Sequence, residues 1–138
     1  MPEGILTLRS PEDDINVVHD FIERIWGENP DLSVMDRLRF ETAFIELAAN
    51  VIQHADEGNG IVADISITID GDCISGQISD SSPAGMVDLA MREMPDENAE
   101  SGRGIAFIQR LVDVFHYERR EDENLWIIQK RREQPQAC

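Results

Sequence analysis

Glu46-Leu-Ala-Ala-Asn50-Val-Ile-Gln-His54-Ala55 sets three polar side chains four residues apart inside an otherwise apolar run. On an α-helix Glu46, Asn50, Gln53 and His54 fall within an arc of roughly 100°. Phe40, Phe44, Ile45, Leu47, Ala48, Val51 and Ile52 occupy the rest of the circumference. A helix apolar over more than half its girth is mostly buried, so its one polar stripe faces water or a ligand. Asn is a poor helix former because its amide competes for backbone hydrogen bonds. Taken alone, the stripe reads as a solvated face. The rest of the chain changes that reading.

Upstream, Ser33-Val-Met-Asp36 has the cap-and-acid pattern that opens a helix and marks the start of the one carrying the stripe. Before it, Ile5 to Arg9 predicts a first strand. Ser10-Pro11-Glu12-Asp13 predicts a helix start with proline in its first turn. That helix carries Ile15, Val18, Ile22, Ile25 and Trp26 on one face and ends at Gly27-Glu-Asn-Pro30.

Downstream the hydrophobic period falls from 3.6 to 2. Ile65, Ile67 and Ile69 alternate with Asp64, Ser66, Thr68 and Asp70, a half-buried strand. Asp70-Gly71 predicts a type I′ hairpin turn, with a return strand from about Cys73 to Ser79. Asp80 follows, and Ser81-Ser-Pro-Ala-Gly85 breaks the sheet. An acidic segment, about 86–101, leads to Gly102-Arg103-Gly104 at the start of a helix with Ile105, Ile108, Leu111, Val112 and Phe115 on one face. Two last strands, near Phe115–Arg119 and Asn124–Lys130, flank the turn Arg120-Glu-Asp-Glu123. The expected fold is α+β: one domain over 1–138, a two-layer sandwich with a mostly antiparallel mixed sheet and its helices on one face.

Composition bounds the function. The 138 residues include 28 acids against 12 bases, a net charge of −16, which argues against direct nucleic-acid binding. No apolar run approaches the ~20 residues needed to cross a bilayer, and no signal pattern opens the chain, so a cytoplasmic protein is expected. Cys73 and Cys138 have no ligand or redox spacing. Eleven of the bases are Arg and the only lysine is Lys130; no Walker-type Gly-Lys-Ser/Thr element is present.

Individually, Asp80 reads as a turn-initiating acid, and Gly-x-Gly precedes many helices. In order, Glu-x-x-x-Asn-x-x-x-His-Ala on a helix, Asp after a hairpin and Gly-Arg-Gly-Ile opening a helix resemble the Bergerat-fold (GHKL) ATPases. The His-Ala after the Asn and the short lid resemble the anti-sigma-factor serine kinases of bacteria. The resemblance implies ATP and Mg²⁺ as cofactors. By it, Asn50 ligates Mg²⁺, Glu46 is the base for an attacking serine hydroxyl, and His54 supports the site by hydrogen bonding. Asp80 accepts a hydrogen bond from the adenine amine. Gly102, Arg103 and Gly104 hold the phosphates beneath a lid of about 86–101.

Ser82 stands where the family has glycine, while Pro83 and Gly85 keep the loop character; the missing glycine predicts weakened nucleotide affinity. The implied partners are a sigma factor and a STAS-domain anti-anti-sigma protein, and a homodimer is expected of the family. A second reading is a binding switch that regulates a sigma factor without phosphoryl transfer. A detached histidine-kinase catalytic domain ranks third, because His19, His54 and His116 read as core or motif residues. A stand-alone metal enzyme ranks below it, the three histidines having no ligand spacing.

Overall fold

The computed structural model describes residues 4–10, 14–55, 61–81 and 100–133, with the backbone alone at 10, 53–55, 61 and 100–105. Five strands, β1 (Gly4–Ser10), β2 (Ile61–Ile69), β3 (Cys73–Asp80), β4 (Val114–Arg120) and β5 (Glu123–Arg131), form one sheet in the order β1-β2-β3-β5-β4. All four ladders are antiparallel, so the mixed sheet expected from the sequence is replaced by a uniform one among the described strands. Helices α1 (Ile15–Glu28), α2 (Val34–Ala55) and α3 (Glu100–Leu111) complete the α+β architecture. None of these helices is long and apolar enough to cross a membrane.

Side-chain alternation divides the sheet into two faces. Ile65 and Ile67 of β2, Ile74 and Ile78 of β3, and Trp126 and Ile128 of β5 are buried on the helix side. They meet Val18, Ile22 and Ile25 of α1, Phe40, Phe44, Leu47 and Val51 of α2, and Ile108 of α3 in one core. Phe40 and Phe44, one turn apart on α2, stack with ring centroids 5.4 Å apart. They lie directly on Gly76: a Cβ there would stand 2.5 Å from Phe44 Cε1 and 2.7 Å from Phe40 Cζ. Glycine thus lets the longest helix approach the middle of the sheet closely, and Gly76 interrupts the Ile74/Ile78 alternation for that reason.

Two local features depart from the sequence reading, and one follows it. Helix α2 starts as expected, with Ser33 Oγ accepting from the Asp36 amide at 3.0 Å. Helix α1 does not start at Ser10: that residue pairs with Ile61 as the last position of β1. Its cap is Asp14, whose Oδ1 accepts from the Asn16 amide at 2.9 Å. The β2–β3 connection is not a type I′ turn centred on Asp70-Gly71. Asp70 N donates to Cys73 O, leaving Gly71-Asp72 as the loop, and none of the three has positive φ. The Asp70 carboxylate holds the turn instead, accepting from Asp72 N at 2.8 Å and Cys73 N at 2.7 Å. Among the described non-glycine residues, positive φ occurs at Glu121 (36°), in the β4–β5 turn.

Candidate functional site

The polar stripe of α2 is in place and neither fully exposed nor fully buried: Glu46 and Asn50 are both half-buried, one helical turn apart. Asn50 carries the more informative signal. Its Nδ2 is buried and has no hydrogen-bond partner among the described residues, a state shared there by Arg37 Nε. An unsatisfied buried amide costs about 1–3 kcal/mol, so such an atom marks a place where a ligand completes the hydrogen bonding. Rotation of the amide exchanges nitrogen and oxygen, so the same position can present Oδ1 to a hard cation. The donor type therefore fits Mg²⁺ carried by a nucleotide. Among the described residues no three His, Cys, Asp or Glu side chains converge as a ready-made metal cage. A nucleotide-borne Mg²⁺ needs none, because phosphates and water fill most of its coordination.

Sheet register brings Asp80 to the same end of the molecule. Leu8, Ala63, Asp80, Asn124 and Arg119 form one row across β1, β2, β3, β5 and β4 on the helix-facing side. Ala48, Val51 and Ile52 of α2 pack over Leu8 and Ala63 in that row, together with Ile65 and Ile78, leaving a gap of only about 10 Å³. Asp80 is therefore the next position along from the residues that the Asn50 segment covers.

Asp80 is 2% exposed. Asn124 Nδ2 donates to its Oδ1 and Trp126 Nε1 to its Oδ2, each at 3.1 Å. Two such bonds, one to each oxygen, orient the group.

Asn124 and Trp126 were not legible as site residues, because the contact depends on β5 inserting beside β3, 44 residues away. The one sequence signal is an Asn directly before the apolar run Leu125–Ile128. Asn124 is fully buried, and its Oδ1 accepts from Tyr117 Oη at 2.6 Å and from Arg119 Nη1 at 3.2 Å.

A cavity of about 680 Å³ lies at this end too, mostly on the other face of the sheet but with Asp80 in its wall. The rest of its lining includes Val62, Asp64, Ser79, Ser81, Glu123 and the Glu121-Asp122 turn. Asp64, Glu121, Asp122 and Glu123 make it a poor place for phosphates. Its arginine, Arg120, is held by Glu118 at 2.6 Å. Hydrogen bonds from Arg120 and then His116 hold the Glu118 carboxyl below its usual range. Chemistry therefore favours the helix-facing side over the larger hollow.

The third motif is placed in part. Helix α3 begins at Glu100, so Gly102 lies inside its first turn and Gly104, the fifth residue, begins the second. The sequence reading puts Gly102-Arg103-Gly104 at the start of the helix, and the helix begins two residues before Gly102. An acid is favoured at a helix N-terminus, which extends α3 back to Glu100. Gly102 remains in the turn whose N–H groups lack intrahelical partners. Helix α3 packs against α2. Ser82, Gly85 and residues 86–99 of the expected lid lie outside the described residues, as do the side chains of His54 and Arg103. Two histidines depart from the core-like surroundings expected of them: the side chains of His19, on α1, and His116, on β4, are 45% and 51% exposed.

A half-buried Glu/Asn stripe, an oriented carboxylate one row away and a glycine-bearing helix turn are the features compared with known families. The histidine kinase-like ATPase domain matches residues 9–130. The chain belongs to that family. A histidine kinase-like ATPase domain binds ATP, and α2, Asp80 and the first turn of α3 all fall within the matched span. No curated protein matches the chain.

Proposed function

We propose that this histidine kinase-like ATPase is an anti-sigma factor and protein-serine kinase. In this reading it works in the cytoplasm, sequesters a sigma factor and uses MgATP to phosphorylate a STAS-domain antagonist on serine. The observation that carries it is the buried Asn50 Nδ2, without a hydrogen-bond partner among the described residues, one turn from Glu46 and over the sheet row that leads to Asp80. Asn50 holds the metal through its amide oxygen, and Glu46 accepts the proton of the attacking hydroxyl. Asp80 takes a hydrogen bond from the purine amine, and the first turn of α3, with Gly102, Arg103 and Gly104, faces the phosphates. Bound Mg²⁺ supplies the positive charge that offsets what develops during transfer. The net charge of −16 suits a basic, DNA-binding partner, and a homodimer is the expected assembly.

The test is transfer of labelled phosphate from MgATP to a candidate antagonist. Glu46→Ala is expected to abolish transfer while nucleotide still binds; undiminished transfer overturns the role of Glu46. A non-catalytic switch is the second reading, favoured by the near-complete burial of Asp80 and its engagement by two protein donors. Nucleotide binding without transfer to any antagonist, together with retained sigma-factor binding, selects that reading.

A further inference from the structure

Asp80 accepts hydrogen bonds from two side chains of one strand, and the nearer of them is itself fixed from behind. Asn124 lies beside Asp80 in the β3–β5 ladder, fully buried, with Nδ2 aimed at the carboxylate. An amide can rotate by half a turn and offer its oxygen instead, which would set two acceptors against each other. Tyr117 Oη and Arg119 Nη1 prevent this by both donating to Asn124 Oδ1. Their two bonds assign the oxygen to the β4 side, so only the NH₂ group can face Asp80. Tyr117 is steadied in turn by packing on the Trp126 ring, with centroids 4.7 Å apart. Trp126 supplies the second bond to Asp80. The cluster is thus a chain of donors running from strand β4 through β5 to a carboxylate on β3.

We infer that Asn124, held by Tyr117 and Arg119, is the positioning residue that orients Asp80 as an acceptor for the exocyclic amine of the purine. The inference rests on the proposed role of Asp80 as the base-reading carboxylate. Donors on both oxygens fix the plane of the carboxylate. Selectivity for an amino purine depends on that plane, because it sets the direction from which the carboxylate accepts. Hydrogen bonds inside a buried network reinforce one another, so loss of a remote member is felt at the carboxylate.

The experiment compares binding of MgATP and MgITP, which differ at position 6 of the base by an amine against a carbonyl. Binding is measured for the full chain and for Asp80→Asn, Asn124→Ala and Tyr117→Phe, with folding checked by thermal melts. Asn124→Ala is expected to lower the ATP-to-ITP preference roughly tenfold. Tyr117→Phe keeps the ring and is expected to lower that preference by a smaller factor. A structural role alone would weaken both nucleotides equally and leave the ratio unchanged. An unchanged ratio in Asn124→Ala, with a collapsed ratio in Asp80→Asn, overturns the inference and leaves the base-reading role of Asp80 standing. A ratio unaffected by Asp80→Asn overturns that role and the inference with it. If Asn124→Ala does not fold, Tyr117→Phe decides: a ratio equal to that of the unaltered chain counts against the inference.

Discussion

Two aspartates are buried at opposite ends of strand β5, and their surroundings differ in kind. Asp36, 1% exposed, sits in the first turn of α2, where the helix N-terminus favours a negative charge. The chain's lysine, Lys130, approaches its Oδ1 at 3.4 Å, and the Glu133 amide donates to its Oδ2 at 2.8 Å. Nearby, Arg132 ties Asp31 and the Asp70 carbonyl to the same corner. Asp80, about six residues or roughly 20 Å along the strand, takes hydrogen bonds from the neutral groups of Asn124 and Trp126. The first arrangement neutralises a carboxylate and pins three segments together. The second orients a carboxylate through two neutral donors of one strand. Burial alone does not distinguish the two acids; the chemistry of the donors does.

The largest expected effect lies at the Asp36 end. Lys130→Ala leaves a buried carboxylate without its cation and is expected to cost roughly 3–5 kcal/mol in urea unfolding. MgATP affinity of the folded fraction should be unchanged. If that affinity falls as well, the two ends are not separable. Between them lies Gly76, where Gly76→Ala forces a methyl group into the Phe40 and Phe44 rings. A loss of about 1–3 kcal/mol is expected, read as a lower urea midpoint at constant slope. Nucleotide affinity per folded molecule should again hold.

Smaller effects sharpen the comparison. Ser33→Ala removes the cap that orders the Asp36 turn and is expected to cost about 1 kcal/mol. Chemical denaturation is the measurement, and an effect on phosphoryl transfer would tie the cap to the site. The smallest effect belongs to Asp70, whose carboxyl is held below its ordinary range by hydrogen bonds from the Cys73 and Asp72 amides. A lowered folded pKa gives stability that is present in full above the ordinary Asp pKa of about 3.9 and is lost as pH falls through the folded value. The stability difference between the protein and Asp70→Asn should therefore be flat at neutral pH and shrink on acidification. A difference that grows toward low pH would reverse the sign of this assignment.

The sequence was most legible where one element's own pattern decided the outcome. The 3.6-residue period and the Ser33 cap place α2 correctly, and the period of two places β3 to within a residue, whereas β2 begins three residues before the alternation that predicts it. Local reading failed where partners distant in the chain compete. Ser10 looks like a cap, but pairing with Ile61 draws it into β1 and passes the role to Asp14. Asp70-Gly71 looks like a I′ turn, but the Asp70 side chain captures the loop amides and makes positive φ unnecessary. Within the site, Glu46 and Asn50 share a helix, so their spacing alone joined them. Asn124 and Trp126 reach Asp80 only through the order of strands, which no spacing in the sequence encodes.

That order also has a consequence for how the protein is made. Strand β5 is the last of the described strands to be synthesised, yet it lies between β3 and β4 and not at an edge. Until residues 123–131 have emerged, neither Asp36 nor Asp80 can meet its β5 partners, and β4 has no neighbour to pair with. A nascent chain therefore carries two solvated carboxylates and the open flank of β3, a surface on which another chain's strand could settle. Arrival of β5 closes that flank and brings both acids their β5 partners in one step.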